Sequence, residues 1–351
     1  MLYVALFLIV TLSAAAMLIT VLIKLIIGLV RKIKKGRFSS PRLKVISIIL
    51  AADIALCAGL VAVSQFTAHT PQIVDEHGKV PENAIAELVR LELNGRKQWI
   101  SIRGWDINNP VLLFLAGGPG GTQMAAVRHE LAELEKHFVV VNWDQPGSGK
   151  SYNTGKNISA ETYIQDGGAL TEYLKERFSK EKIYLIGESW GSALGIFLID
   201  RYPQNYHGFI GTGQMIDFAE TERLDYAKAL EIAAQRGDTD MVNRLKANGE
   251  APYYGNDMVW KSALYLNYLS SYMASLPEVT NSGYNTFRDV LSSEYGLLDK
   301  INFFRGIIFT FNNVYQQLYG IDLRRDFNKL EVPIYLFLGR YDCNAPTSLA
   351  E

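Results

Sequence analysis

Gly187-Glu188-Ser189-Trp190-Gly191 sets a serine between glycines, directly after the apolar run Ile183–Ile186 and at the head of a helical stretch over 190–201. In a G-x-S-x-G of this kind the serine occupies a strained strand-to-helix turn. Small neighbours let the chain turn sharply, and the hydroxyl is exposed. The chemistry is acyl transfer, with Ser189 as candidate nucleophile. The helix N-terminus and the Trp190 amide would face the developing oxyanion. An aspartate at 189 would have suggested epoxide or haloalkane chemistry instead. A second feature, Ala116-Gly117-Gly118-Pro119-Gly120-Gly121, follows the apolar run Val111–Leu115. Glycines let a backbone N–H approach a substrate closely, so Gly118 is the candidate second oxyanion donor. The third, Asp342 in Gly339-Arg340-Tyr341-Asp342, ends the run Ile334–Leu338. An acid there, after the serine in the chain, would orient and stabilise a histidine without itself taking the proton. A turn serine, a tight turn and a surface aspartate are the competing readings; the order of the three features supports the catalytic set.

The elements needed to position these residues are legible. Leu88–Leu93 and Gln98–Ile102 alternate apolar and polar residues about Asn94-Gly95, as an antiparallel hairpin does. Val111–Leu115, Phe138–Asn142, Ile183–Ile186 and Ile334–Leu338 are apolar on both faces, which indicates strands buried in a parallel sheet. Helical stretches over 123–136, 160–178 and 190–201 alternate with them, giving an α/β, doubly wound pattern. Residues 217 to about 327 carry helix formers and aromatics with little strand pattern, and read as a helical cap inserted before the sheet resumes. Its aromatics are expected to be mostly core, with some lining a pocket against the sheet. Its acids Glu220, Glu222, Asp225 and Glu231 are expected on a solvated helix face.

The average composition of the 351 residues, 48% hydrophobic with two cysteines and a net charge of −1, excludes disordered and disulfide-scaffold classes but hides two materials. Residues 1–70 hold eight Lys/Arg and one acid, Asp53, a balance of +7 that leaves −8 for the rest. Leu2–Ile23 contains no charge, and Val45–Phe66 only Asp53. Each run reaches the roughly 20 apolar residues that span a bilayer core. Between them lie seven basic residues, which the positive-inside rule places in the cytoplasm. The expectation is a transmembrane hairpin over 1–70 (helices about 2–30 and 45–67, basic loop 31–44) and a hydrolase domain over 71–351 outside the cytoplasm. The protein is then a multi-pass cell-membrane protein whose lipid partner is the bilayer. A cleaved signal peptide would start with basic residues, and Met1-Leu2-Tyr3-Val4 has none. Asp53 is expected to pair with the neighbouring helix. The acidic outer part argues against nucleic acid as a partner. No metal-ligand spacing appears, so neither metal nor cofactor is expected. Pro146–Ser151 imitates the end of a phosphate-binding loop, but Asp144 stands where its first glycine is required.

Ala116–Gly121, Trp143-Asp144-Gln145-Pro146-Gly147-Ser148-Gly149 with Ser151, Gly187–Ser192 and Gly339–Asp342 together resemble the α/β-hydrolase family of prolyl aminopeptidases. With the cap between them, these motifs cover most of residues 85–351. The resemblance implies an α/β-hydrolase fold, Ser189 as nucleophile, Asp342 as triad acid and the Gly118 and Trp190 amides as oxyanion hole. It also implies release of an N-terminal residue, often proline, from peptides or amides, with cap acids holding the free α-amine. Two departures stand out. Ala116 replaces the histidine that usually opens the glycine loop, and none of His69, His77, His129, His137 and His207 follows Asp342, where the family places its base after one more strand. His207 is expected at a strand edge, His129 and His137 exposed. The sequence is therefore expected to be a C-terminally truncated form, lacking the last strand, histidine and helix, rather than an evolved pseudoenzyme. The alternatives are an esterase or lipase on the same fold, acting on small esters, and a non-catalytic membrane-tethered binding domain.

Overall fold

The computed structural model describes residues 2–279 and 283–351. It divides into two compact units, one of residues 1–68 with Tyr295–Lys300, the other of His69–Glu294 with Ile301–Glu351.

In the first unit, α1 (Leu2–Lys35) and α2 (Leu43–Phe66) have 34 and 24 residues. At about 1.5 Å of rise per residue each exceeds the ~30 Å of a hydrocarbon core. Their apolar side chains point outward, Leu12 at 71% and Ile9 at 64% exposure, and both helices are candidate membrane spans. Ser13 Oγ donates to Asp53 Oδ2 at 2.8 Å, so the mid-helix acid has the neighbouring-helix partner expected of it. The basic block is shorter as a loop than expected, because α1 continues to Lys35. Lys and Arg are good helix formers, and the chain turns only at Gly36 (φ 68°) and Arg42 (φ 65°). The 295–300 segment meets α2 where the Leu297 N–H donates to Ser64 Oγ at 2.9 Å.

The second unit is built on a seven-stranded sheet: β1 (Ile85–Leu93), β2 (Arg96–Gly104), β3 (Val111–Leu115), β4 (Val139–Asp144), β5 (Ile183–Glu188), β6 (Tyr206–Thr212) and β7 (Ile334–Phe337). Their order is β1-β2-β4-β3-β5-β6-β7. β1 and β2 form the expected hairpin, with Asn94 and Gly95 at φ 48° and 77°, and β2 runs antiparallel to β4; the remaining pairs are parallel. β3 and β4 are buried along their whole length, as runs apolar on both faces require. The sheet is flanked by α3 (Met124–Glu130), α4 (Ala160–Phe178) and α5 (Trp190–Arg201). Ser159 and Thr162 close a capping box that starts α4, and α5 is buried from Trp190 to Ile199. The stretch expected to be helical over 123–136 is α3 followed by a 3-10 turn over Ala132–Lys136.

β7 departs from expectation. Tyr335 and Phe337 are 59% and 64% exposed although the run is apolar on both faces. The reason is position: β7 pairs with β6 alone and forms the edge of the sheet among the described residues.

Between β6 and β7 the chain is helical: α6 (Phe218–Gln235), α7 (Thr239–Asn248), α8 (Met258–Ala274), α9 (Thr286–Val290), α10 (Leu297–Asn313) and α11 (Leu323–Asp326). Phe218, Tyr265 and Tyr315 are buried there, and Phe311 stacks on Tyr315 at 4.5 Å, in line with a core role for most of the aromatics. The acids divide. Glu220 and Glu231 are solvated as expected, each side chain at 38% and 50% exposure, whereas Glu222 and Asp225 are 1% exposed. They lie on the face of α6 that packs inward, which charge alone does not reveal.

Candidate active site

β5 delivers the chain into a sharp turn at Ser189, which has φ 55° and ψ −121°. A serine adopts this backbone only where its surroundings over-determine it. They do so here: the Ser189 N–H donates to the Thr212 carbonyl at 3.0 Å, and the Ser189 carbonyl accepts from the Ser192 N–H at 2.8 Å and from Ser192 Oγ at 2.5 Å. The flanking glycines are required by space. A Cβ on Gly187 would lie 2.2 Å from the Gly191 carbonyl oxygen, and one on Gly191 would lie 2.0 Å from the Leu115 carbonyl oxygen.

The glycine loop after β3 stands beside this turn. Gly118 has φ 126°, and the Gly121 N–H closes the loop onto the Gly117 carbonyl at 3.0 Å. Two glutamines hold it, Gln145 from the Trp143–Gly149 motif and Gln123 at the end of the glycine loop. Gln145 Nε2 donates to the Ala116 carbonyl at 3.1 Å while its Oε1 accepts from Trp190 Nε1 at 3.0 Å. Gln123 Oε1 accepts from the Gly117 N–H at 3.0 Å, and its Nε2 donates to Glu188 Oε2 at 2.6 Å. With Ala116 in place of the histidine that usually opens the loop, these two amides hold it. Their only sequence signal is a polar residue beside each glycine-rich motif.

Asp342 lies beyond the end of β7. Its Oδ1 accepts from the Asn344 and Ala345 N–H groups at 2.9 and 3.1 Å, and its own N–H donates to the Gly339 carbonyl at 3.0 Å. Burial pushes its carboxyl up from the ordinary value, and the two N–H donors partly oppose the shift. Gly213 separates acid from serine: the point where its Cβ would stand is 3.7 Å from both Asp342 Oδ2 and the Ser189 nitrogen.

Ser189 and Asp342 line one cavity of about 780 Å³, between the strand ends and α8, which contributes Asn267, Ser270 and Met273. Gly118 and Trp190 are not among its lining residues; Trp190 follows the serine at the head of α5, and it is Gly117 of the loop that lies against Ser189 Cβ. Glu188, which the motif treats as a variable position, does line it. Burial pushes the Glu188 carboxyl up, the Gln123 amide opposes this, and the nearby charge of Asp342 adds to it.

No histidine lines this cavity among the described residues. His207 is exposed on the edge of β6, its ring 5.0 Å from that of Tyr184. His137 is exposed, as expected, but His129 is not: its Nδ1 lies 3.2 Å from Asp289 Oδ1 and its side chain is 26% exposed, because Asp289 at the end of α9 packs against α3.

The family model described as serine aminopeptidase, S33, matches residues 120–274. A probable aminopeptidase, YbaC of Bacillus subtilis, is 29% identical over 286 residues, spanning 78% of this chain and 86% of the relative. A proline iminopeptidase of Saccharolobus solfataricus is 27% identical over 243 residues, 67% of this chain and 71% of that protein. Among solved structures, VinJ superposes with a TM-score of 0.52 at 16% identity, covering 75% of this chain and 85% of VinJ.

Proposed function

Taking as premise that this chain is an α/β hydrolase similar to the serine aminopeptidases, we propose that it is a membrane-anchored serine hydrolase that releases N-terminal residues from small peptides or amides through an acyl-enzyme at Ser189. The observation that carries the reading is the shared cavity. A serine held at positive φ at the end of β5 and an acid after β7 open onto the same space beneath α8. In this reading Ser189 Oγ attacks the scissile carbonyl carbon, and the Gly118 and Trp190 amides bind the oxyanion. The proton lost by the Ser189 hydroxyl passes through a base to the leaving nitrogen as the C–N bond breaks and the amine departs; water, giving a proton to the same base, then hydrolyses the ester and returns the serine hydroxyl. Asp342 is the acid that orients the general base. The two exposed apolar helices and the basic residues at their turn and adjoining helix ends support an anchor with that Lys/Arg-rich end in the cytoplasm and the hydrolase unit outside.

A second reading, a tethered binding domain without turnover, is favoured by one observation. None of the five histidines lines the cavity, and a serine hydroxyl without a base is a weak nucleophile. A pair of fluorophosphonate probes, one impermeant and one permeant, applied to intact cells separates these readings. The hydrolase reading expects both to label the chain, and Ser189→Ala to abolish both signals. Labelling by the permeant probe alone refutes the outward orientation. Labelling by neither leaves the binding-domain reading standing.

A further inference from the structure

The acidic charge that faces the cavity beside Ser189 comes from the sheet. The inserted helices direct their acids elsewhere. Glu220 is held by Arg324 at 2.8 Å and Glu231 by Lys228 at 3.1 Å. Glu222 accepts from Ser262 at 3.1 Å, from Tyr315 at 3.0 Å and from the Tyr265 hydroxyl. Asp225 is 1% exposed and is not among the residues lining the cavity. Glu188 does line it and directly precedes the serine. Glu188 Oε2 and Ser189 Cβ lie 2.9 Å and 3.3 Å from the point where a Gly117 side chain would begin, so carboxyl and serine flank one glycine.

The side-chain partners of this carboxyl are neutral, the Gln123 amide at 2.6 Å and the Tyr284 hydroxyl, and among the described residues no Lys, Arg or His forms an ion pair with it. A carboxylate so placed opposes the negative charge that develops on a carbonyl oxygen at the adjacent glycine loop. The opposition is relieved if a positive charge arrives with the substrate. An α-ammonium group stands two bonds from the scissile carbonyl carbon of an N-terminal residue, within reach of a carboxylate beside the nucleophile. A substrate with a blocked amine brings no such charge and leaves the carboxylate desolvated and unpaired.

We propose that Glu188 is the specificity-determining residue that selects a free α-ammonium group in the substrate. The inference rests on the acyl-transfer reading of Ser189 and moves amine recognition from the inserted helices, where the family resemblance puts it, to the residue before the nucleophile. The test is binding, so it stands whether or not the chain turns substrate over. Dissociation constants for L-prolinamide and N-acetyl-L-prolinamide are measured by calorimetry on the detergent-solubilised full chain. The wild type is expected to prefer the free amine by about tenfold or more, the effect of one charge-assisted hydrogen bond. Glu188→Gln keeps the shape and should bring the two ligands to near equality, while Glu231→Gln should keep the wild-type ratio. Equal binding of the two ligands by the wild type, or no binding of prolinamide, overturns the proposal without recourse to any variant. So does a preference that survives Glu188→Gln. Failure of the acyl-transfer reading shows separately, as absent fluorophosphonate labelling while the amine preference persists.

Discussion

The strand that carries Ser189 and the strand that leads to Asp342 lie two places apart in one sheet and are held by different means. β5 is central, paired on both sides, with α5 packed behind it, and its turn is confined by backbone contacts at Gly187 and Gly191. β7 is paired on one side, shows Tyr335 and Phe337 to solvent, and hands its acid to a short turn closed by Gly339, Asn344 and Ala345. One residue is placed by global packing and the other by local hydrogen bonds. The site therefore has a rigid half and a half whose stiffness depends on what surrounds a single edge strand.

The sharpest way to break the contrast is at the rigid half. Gly191→Val sets its side chain against the Leu115 and Ala116 carbonyls, 2.0 and 2.9 Å from the Cβ position, and backbone cannot give way. A loss above about 4 kcal/mol is expected, seen as loss of the cooperative unfolding transition. A normal transition would mean that the elbow is softer than its geometry. Next comes a matched pair. Leu113→Ala in fully buried β3 should cost about 2–5 kcal/mol in denaturant unfolding, and Phe337→Ser on β7 no more than about 0.5 kcal/mol. Comparable losses would show that β7 is covered in the protein as it occurs. The last test concerns a buried acid on α6 whose carboxyl feels the charge of Asp342. Burial, then the charges of Glu222 and Asp342, push the Asp225 carboxyl well up, and among the described residues neither of its oxygens has a hydrogen-bond partner. The folded chain thus keeps a proton that the unfolded chain releases. Stability is full below the ordinary carboxyl value and falls as pH rises toward the folded one. Asp225→Asn should raise the melting temperature at neutral pH by a few degrees and flatten its decline with pH; an unchanged slope would refute this account.

What the sequence made legible follows its local physics. α4 and α5 cover the stretches 160–178 and 190–201 that read as helical, and β3 and β4 are as buried as their composition demands. Ser189, the glycine loop and Asp342 stand out as candidates because each sits at the end of an apolar run, a local pattern. What was missed is long-range. Gln145 reaches Ala116 and Trp190, 29 and 45 positions away in the chain, and Gln123 reaches Glu188 over 65. A polar residue near a motif gives no sign of where its amide will point. The burial of Glu222 and Asp225 escaped for a related reason: two acids three apart on a helix share a face, but only the packing of α6 on its neighbours decides which face is inside.

The Gln145 amide has a mechanical consequence. With its oxygen on the Trp190 indole and its nitrogen on the Ala116 carbonyl, it works as a strut of fixed length between the serine's helix and the glycine loop. The spacing of helix and loop is then gauged by this side chain together with Gln123, which ties the Gly117 N–H to Glu188, and it cannot widen without breaking their hydrogen bonds. The opposite wall of the cavity is softer, since α8 lines it with the flexible side chain of Met273 and with small residues such as Ser270.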